Sequence, residues 1–245
     1  MFTAADRERV SKRVLEIAAE DPRVVAGAVV GSLAVIEGDR WSDLDLTFAV
    51  ADKVSTTDVL SDWTEKMVSE FDAALLFDLV AGASTYRVFL LPGCLQFDLS
   101  FTPAAQFGAT GPKFKLLFGE AVEKSHYQPA PEKELLGYAV HHLVRGRICI
   151  ERGRYWQAEY WISAARDYAL SLACRRRGLP SSYGRGFDDL PYEVRQRFLG
   201  ALPASLEPAD LMNAVRVTVT GLLHEATDLP ECAGIEACLR ELTNR

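Results

Sequence analysis

The chain has 245 residues, of which 49% are hydrophobic and 25% are charged, which is enough apolar sequence to bury a sizeable core. This composition excludes a largely disordered chain, and no apolar run reaches the roughly 18 residues that a membrane span needs. The charged N-terminal segment lacks the apolar stretch of a secretory signal, so we expect a cytoplasmic protein with no membrane partner.

The net charge of −7 lies entirely in the N-terminal half. Residues 1–120 hold 11 Lys and Arg against 18 Asp and Glu, whereas residues 121–245 hold 16 of each. An acidic half is suited to divalent cations or to a cationic substrate rather than to a polyanion. The five cysteines form no C-x-x-C pair, so their pattern indicates neither a disulfide framework nor a zinc site.

The first predicted elements are a helix and two strands. An amphipathic pattern predicts a helix over residues 4–20, and a β-branched run predicts a buried strand over residues 24–30. Gly31-Ser32 ends this strand, and residues 33–37 are predicted to form one or two helical turns. Residues 43–50 follow as a strand that places Asp43 and Asp45 on one face, because side chains alternate along a strand.

The remaining elements divide the chain into two parts. Thr56 or Thr57 is predicted to cap a helix that runs to about Asp72. Further strands are predicted over residues 74–80, 85–91, 95–101 and 113–119. After a linker near 121–131, helices are predicted over residues 132–151, 155–177, 190–200, 208–226 and 232–243. The pattern predicts an α+β fold: a mixed β-sheet domain with flanking helices over residues 1–122, then an all-α helical-bundle domain over residues 131–245.

Three carboxylates are predicted to form a metal site. Asp43 and Asp45 project from the same side of one strand, about 7 Å apart along it, and would repel each other unless a cation lay between them. Asp98 lies on the polar face of the strand LQFDLSF, which a sheet can place beside residues 43–48. Carboxylate oxygens are the ligands that Mg²⁺ prefers. Ordinary solvent-facing acids are the competing interpretation, and it is weakened by the third aspartate.

The Gly31-Ser32 turn is a candidate phosphate-binding loop. It lies between a strand and a short helix, an arrangement that directs backbone N–H groups toward an anion. Neither a P-loop nor a dinucleotide-binding motif is present. Phosphates held at this turn and bridged by metal on three carboxylates indicate phosphoryl or nucleotidyl transfer, in which two metal ions would act on the attacking and leaving oxygens. Asp98 is the candidate base, or a ligand of the metal that acidifies the acceptor.

Residues 31–46, GSLAVIEGDRWSDLDL, resemble the G-S-x(n)-D-x-D signature of the polymerase-β-type nucleotidyltransferase superfamily, and are most similar to small bacterial aminoglycoside and lincosamide nucleotidyltransferases. The resemblance implies that Gly31 and Ser32 bind a nucleoside triphosphate, with ATP as co-substrate. It also implies that Asp43, Asp45 and Asp98 bind two Mg²⁺ ions. In some members the base is a Glu of the helical domain instead, which keeps Glu151 and Glu159 open here.

The second domain leaves several alternatives open. Arg166 either pairs with Asp167 or reaches the phosphates of the nucleotide. The aromatic residues of helix 155–177 either line a pocket or pack. The acceptor is either a small molecule such as an antibiotic, which would make this a resistance enzyme, or less readily a tRNA or a protein, as in toxin–antitoxin relatives. A non-enzymatic nucleotide-binding relative is the third alternative, although a binding module does not need three carboxylates. The sequence does not indicate the oligomeric state.

Overall fold

A computed structural model of the chain describes residues 1–35 and 38–244. The chain divides into two compact units, Met1–Tyr127 and Gln128–Arg245. The boundary between them falls inside the Pro-containing segment 121–131. No helix in the described ranges is long and apolar enough to cross a membrane.

The first unit is built on a mixed sheet that has six strands in the described part of the chain, in the order β3-β4-β5-β2-β1-β6. The strands are Val24–Val30 (β1), Leu44–Val50 (β2), Ala74–Ala81 (β3), Ser84–Leu91 (β4), Leu95–Pro103 (β5) and Phe114–Phe118 (β6). Neighbouring strands are antiparallel except for β2 and β5, which run parallel. The predicted fold class is therefore confirmed for this unit.

One face of the sheet is covered by two helices, Ala4–Glu20 (α1) and Thr56–Phe71 (α2). The alternating pattern of β2 and β5 sends their apolar side chains to this face, where Phe48, Trp63 and Phe101 form an aromatic cluster. The Trp63 ring centroid lies 5.2 Å from that of Phe48 and 5.1 Å from that of Phe101. Burial of such large side chains is the main stabilising contribution to this layer.

The opposite face of the sheet carries small and polar side chains. Ala26, Ala28 and Ala49 pack with Phe107 in a small separate core. Beside them the same face continues with the residues at alternate positions of β2 and β5, among them Asp45 and Asp98. This face therefore combines close packing at one side with a row of polar groups at the other.

The helix ends explain where α1 and α2 begin and stop. Thr3 and Asp6 form a reciprocal capping box at the start of α1. Ser55 caps α2 by accepting a hydrogen bond from the Asp58 N–H at 3.2 Å, so the prediction of Thr56 or Thr57 as the cap is wrong by one or two residues. Asp72 ends α2 in the left-handed conformation with φ of 53°.

The second unit is helical throughout its regular structure, which confirms the predicted all-α region. Its helices are Glu132–Glu151 (α3), Tyr155–Arg175 (α4), Tyr192–Phe198 (α5), Pro208–Glu225 (α6) and Pro230–Leu242 (α7). The predicted starts shift where proline fixes the first turn: α5 begins directly after Pro191, and α7 begins at Pro230.

A buried carboxylate ties three elements of the second unit together. Glu225 in α6 is 3% exposed and forms ion pairs with Arg177, after α4, at 2.7 Å and with Arg197, in α5, at 2.9 Å. Because removing one partner of a buried ion network leaves the other charges unpaired, this cluster fixes how these elements pack.

Candidate active site

Asp45 and Asp98 are direct neighbours in the sheet. The parallel register of β2 and β5 pairs Asp45 with Asp98, and two residues further along it pairs Thr47 with Ser100. Strands in a sheet lie roughly 4.8 Å apart, so the two carboxylates project side by side from the same face. Both aspartates are partly exposed, whereas Thr47 and Ser100 behind them are buried. The paired carboxylates thus lie at the solvent-accessible end of a buried polar row.

Asp43 lies one residue before β2 and is not part of the ladder. Burial raises the pKa of the Asp98 carboxyl, and the negative charge of Asp43 raises this pKa further. The Gln96 side chain opposes both effects, because its Nε2 donates a hydrogen bond to Asp98 Oδ1 at 3.0 Å. The pKa of Asp98 is therefore raised mainly because its carboxyl is half-buried, and the neighbouring Asp43 charge acts in the same direction.

Gly31 brings the turn after β1 against Asp45. Its φ is +70°, and a Cβ built at this position would collide with the Asp45 carboxylate oxygen Oδ2. The turn continues as a 3₁₀ segment, Gly31–Ala34, so the predicted helical turns of residues 33–37 are present as far as Ala34. Residues 36 and 37 of that prediction lie outside the described residues. The Gly31 N–H donates to the Lys113 carbonyl oxygen at 3.2 Å. The amide at this position is therefore engaged within the protein.

The loop before Asp43 is closed by its own side chains. The Asp39 N–H donates to Ser42 Oγ at 3.0 Å, and Ser42 Oγ donates to Asp39 Oδ1 at 3.2 Å. The Trp41 N–H also donates to Asp39 Oδ1, at 2.8 Å. These bonds replace backbone pairing in a segment that has no strand partner, as Asp and Ser commonly do in turns.

Arg7 fastens this loop to α1. Its guanidinium Nη1 donates to the carbonyl oxygens of Asp39, at 2.8 Å, and Ser42, at 2.6 Å. Arg7 is only 7% exposed, although arginine is rarely buried without partners. Since Ser42 is the residue directly before Asp43, Arg7 fixes the backbone that presents the first carboxylate.

The polar row behind the carboxylates contains one unsatisfied group. The Ser100 hydroxyl is buried and has no hydrogen-bond partner within the described part of the chain. Further along the same face, the hydroxyls of Ser84 and Thr102 hydrogen-bond each other at 2.7 Å. An unpaired buried hydroxyl costs stability and is uncommon.

The candidate residues of the second unit are engaged in local contacts. Arg166 donates to Asp167 Oδ1 from Nε at 3.0 Å and from Nη2 at 2.8 Å, which is the ion-pair alternative of the two left open by the sequence. Glu151 pairs with Arg147 at 2.5 Å, and Glu159 accepts a hydrogen bond from the Ser163 hydroxyl at 2.5 Å. Nucleotide binding by Arg166 and base catalysis by either glutamate stay predictions.

The aromatic residues of α4 divide into two groups. Trp161 and Tyr168 pack against His142 of α3, with ring centroids 4.9 and 5.2 Å from the His142 ring. Trp156 and Tyr160 are instead 79% and 64% exposed. The packing alternative therefore describes the first group, while the second presents two rings at the surface.

The donor set at the three aspartates has the chemistry of a magnesium site, since all its oxygens are hard carboxylate ligands. Ligands of one ion must lie close together, and the register of β2 and β5 places Asp45 directly beside Asp98. In their present side-chain positions, however, no three His, Cys, Asp or Glu residues among 1–35 and 38–244 are grouped closely enough to hold an ion. The adjacent Asp45–Asp98 pair could therefore hold a metal, and Asp43, one residue before β2, is the third carboxylate of the predicted set.

Sequence reasoning named the three carboxylates as candidates but did not predict the contacts of Gln96 with Asp98 or of Arg7 with the loop before Asp43. Gln96 lies on the same face of β5 as Asp98, two residues earlier, so the alternation of that strand contained a signal for it. Arg7 contained no such signal, because its contacts with Asp39 and Ser42 span 32 and 35 residues.

Comparison with known proteins gives structural similarities at low scores. No protein-family model matches the sequence, and no curated protein matches it. The structure is similar to an aminoglycoside 6-adenyltransferase from Bacillus subtilis, with a TM-score of 0.36, 11% identity and coverage of 95% of this chain and 96% of that one. It is also similar to a nucleotidyltransferase-like protein from Exiguobacterium sibiricum 255-15, with a TM-score of 0.32, 12% identity and coverage of 96% and 89%.

TM-scores below 0.5 support no functional assignment, so the function rests on the residues of the site.

Proposed function

We propose that this protein is a Mg²⁺-dependent nucleotidyltransferase that moves a nucleoside monophosphate, AMP from ATP, to a hydroxyl group of a small molecule. The observation that carries the proposal is the parallel pairing of Asp45 with Asp98, joined by the effect of the Asp43 charge on Asp98. Two acids paired on one face, with a third just before the strand and a Gly-Ser turn beside them, support a site for a metal-bound triphosphate.

Each residue of the site has a proposed role. Asp43, Asp45 and Asp98 would hold Mg²⁺, which would supply charge neutralisation at the transferred phosphate. Gly31 permits the close approach of the turn to Asp45. Because its N–H is already bonded to Lys113, binding of the phosphate oxygens would depend on the Ser32 hydroxyl.

Asp98 is the proposed base for the acceptor hydroxyl. Its raised pKa makes it a better proton acceptor than an ordinary aspartate, and Gln96 holds one of its oxygens in place. The second oxygen would take the proton as the acceptor oxygen attacks the α-phosphorus and pyrophosphate leaves.

A small, cationic acceptor is favoured over nucleic acid. The 11 basic and 18 acidic residues of segment 1–120 would repel a polyanion. The basic stretch between Arg145 and Arg185 is partly compensated, because four of its nine arginines form ion pairs with carboxylates in the described residues: Arg147, Arg166, Arg176 and Arg177. Aminoglycosides and lincosamides are amines with hydroxyl groups, so they are the acceptors to test first.

The experiment is calorimetric titration of the purified protein with a non-hydrolysable ATP analogue, with and without Mg²⁺, followed by an acceptor screen with ATP. We expect metal-dependent binding that Asp43→Asn and Asp45→Asn weaken at least ~100-fold, since each removes a proposed metal ligand. Folding of both variants, followed by circular dichroism, should be unchanged because both positions are partly exposed.

An Asp52→Asn variant, at an exposed acid just beyond the end of β2, is the matched control and should bind as the wild type does. Equal binding by all four proteins would refute the metal-site assignment. Failure to bind analogues of ATP, GTP, CTP and UTP would refute the proposed activity as a whole.

A further inference from the structure

The edge strand β3 is apolar and fully exposed. All eight of its residues, Ala74–Ala81 with the sequence ALLFDLVA, are exposed. Five of them are large and apolar, with exposed fractions between 46% and 70%: Leu75, Leu76, Phe77, Leu79 and Val80. A strand at the end of a sheet also presents backbone N–H and C=O groups along its free edge, which is a template for pairing with another strand. Proteins usually avoid this combination.

The opposite edge of the same sheet shows the usual protection. Strand β6 spans only Phe114–Phe118, and it carries Lys115 within the strand and Lys113 just before it. Short length and lysine are two of the devices that keep an edge from associating. Strand β3 is three residues longer and contains neither Lys nor Pro. The two edges of one sheet therefore differ in length and in lysine content, two of the features that limit association.

The single charge on β3 does not protect it. Asp78 is held by Arg87 of the neighbouring strand, which donates to Oδ1 from Nε at 2.7 Å and to Oδ2 from Nη2 at 2.5 Å. The ion pair lowers the pKa of Asp78 and compensates its charge within one copy. A second strand approaching this edge would meet a compensated pair rather than an isolated carboxylate.

We propose that β3 pairs with β3 of a second copy of this chain, joining the two sheets into one continuous antiparallel sheet. Identical edges related by a two-fold axis satisfy each other, because every contact is made twice. The five apolar residues expose roughly 500 Å² per copy, so two copies bring up to about 1,000 Å² of apolar surface to the contact, the threshold for a specific interface. An exposed apolar patch of this size is itself a mark of an interaction site.

The alternation of β3 defines the pairing. Phe77 pairs with Val88 and Leu79 pairs with Tyr86 across β4, so Phe77 and Leu79 share one face. A two-fold axis that passes perpendicular to the sheet at Asp78 places Phe77 of each copy opposite Leu79 of the other copy. The Asp78 side chains of the two copies then lie side by side. Each of them stays bonded to the Arg87 of its own chain. Assembly stops at two copies, because the β6 edge is protected.

The test is the solution mass of the full chain, measured by sedimentation over a range of concentrations. We expect the wild type to reach twice the 27.1 kDa mass of the chain and Phe77→Glu to remain at the single mass. Leu117→Glu on β6 is the matched control: Leu117 is 38% exposed on the protected edge, so this variant should dimerise like the wild type. A wild type that is monomeric at every concentration overturns the proposal, as does a dimer that Phe77→Glu leaves intact.

Amide hydrogen exchange locates the interface independently of the variants. The backbone amides of residues 74–81 should exchange more slowly as the wild-type concentration rises, while those of residues 114–118 should not change. A Phe77→Glu chain that fails to fold would leave this second measurement decisive. Dimers whose protection lies outside β3 would refute the pairing. The inference is independent of the proposed transferase activity, since no residue of the proposed metal site belongs to β3.

Discussion

Gly31 and Asp45 are packed so closely that the Asp45 carboxylate occupies the space where a Cβ at position 31 would lie. The contact joins the turn after β1 to the strand that carries the second aspartate of the proposed metal site. Glycine is required here for two reasons: the φ of +70° and the lack of space for a side chain.

Gly31→Ala is therefore expected to displace Asp45 and to reduce transfer activity ~100-fold, the scale of loss that a shift of about 1 Å produces at a reacting centre. The left-handed backbone adds a stability cost of ~1–2 kcal/mol. Gly82→Ala separates the two effects, because Gly82 has φ of +61° and nothing within 4 Å of its Cβ position. The Gly82→Ala variant should lose about as much stability as Gly31→Ala and keep its transfer activity. Equal activity of both variants in a steady-state assay would show that the Gly31–Asp45 contact has no role in transfer.

Asp98→Asn is expected to stabilise the fold while abolishing transfer. Burial and the Asp43 charge raise the pKa of Asp98, so the folded state binds this proton more tightly than the unfolded state does. The contribution of Asp98 to the free energy of unfolding is fully present below the ordinary aspartate pKa of about 3.9. It is lost as the pH rises through the pKa that Asp98 has in the folded state. At neutral pH the ionised carboxylate is therefore destabilising, and its removal should raise the melting temperature.

Thermal unfolding of wild type and Asp98→Asn between pH 3 and pH 8 tests this sign. The two melting temperatures should converge at the acid end, where Asp98 is protonated in both states. Mg²⁺ should raise the melting temperature of the wild type more than that of the variant, because binding to the folded state alone stabilises it. A variant that is less stable at neutral pH would contradict the raised pKa of Asp98.

Arg7→Gln is expected to loosen the loop that leads into Asp43. The substitution removes the two hydrogen bonds from Nη1 to the Asp39 and Ser42 carbonyl oxygens. Metal-dependent nucleotide binding should weaken by ~10–100-fold, the range seen for residues that orient metal ligands. Amide exchange of residues 38–42 should accelerate at the same time. Arg9→Gln, on the exposed side of α1 and paired with Asp6, should change neither quantity. Unaltered nucleotide affinity in Arg7→Gln would limit Arg7 to a structural role.

Asp21→Asn is expected to lower stability by about 1–3 kcal/mol at neutral pH, the cost of a lost buried charged hydrogen-bond acceptor. Asp21 is 6% exposed and accepts hydrogen bonds from Arg23 and from Trp63 Nε1, the latter at 2.9 Å. The Arg23 hydrogen bonds lower the pKa of Asp21 well below its usual range, with a further contribution from Trp63. A lowered pKa gives stability that is present above about pH 3.9 and is lost as the pH falls toward the folded pKa.

Denaturant unfolding at pH 7 and pH 3 checks the Asp21 prediction. The difference between wild type and Asp21→Asn should shrink at the lower pH. Asp62→Asn is the control, because Asp62 binds the same Arg23 at 2.6 Å but its side chain is 55% exposed. Its loss should be only ~0–1 kcal/mol, as for other surface ion pairs. Equal losses in the two variants would mean that burial does not distinguish them.

The regular elements followed from local patterns in the sequence. The alternation of LQFDLSF defined both faces of β5 and placed Asp98 with Gln96 and Ser100, because side-chain direction along a strand has a period of two. The β-branched run 24–30 and the D-x-D segment were predicted as strands for the same reason, and β1 and β2 have nearly those bounds. The Pro-containing segment between the two parts was predicted from the absence of any apolar period.

Contacts between distant segments were decided only by the tertiary structure. Nothing in β2 or β5 alone specifies that they are parallel neighbours, and it is their register that places Asp45 beside Asp98. Three other features likewise depend on how the elements pack: the contacts of Arg7, the hydrogen bond from the Gly31 N–H to the Lys113 carbonyl oxygen and the exposure of β3. Local side-chain periodicity fixes the faces of an element, whereas the pairing of elements is set by the burial of the whole core, which no single segment encodes.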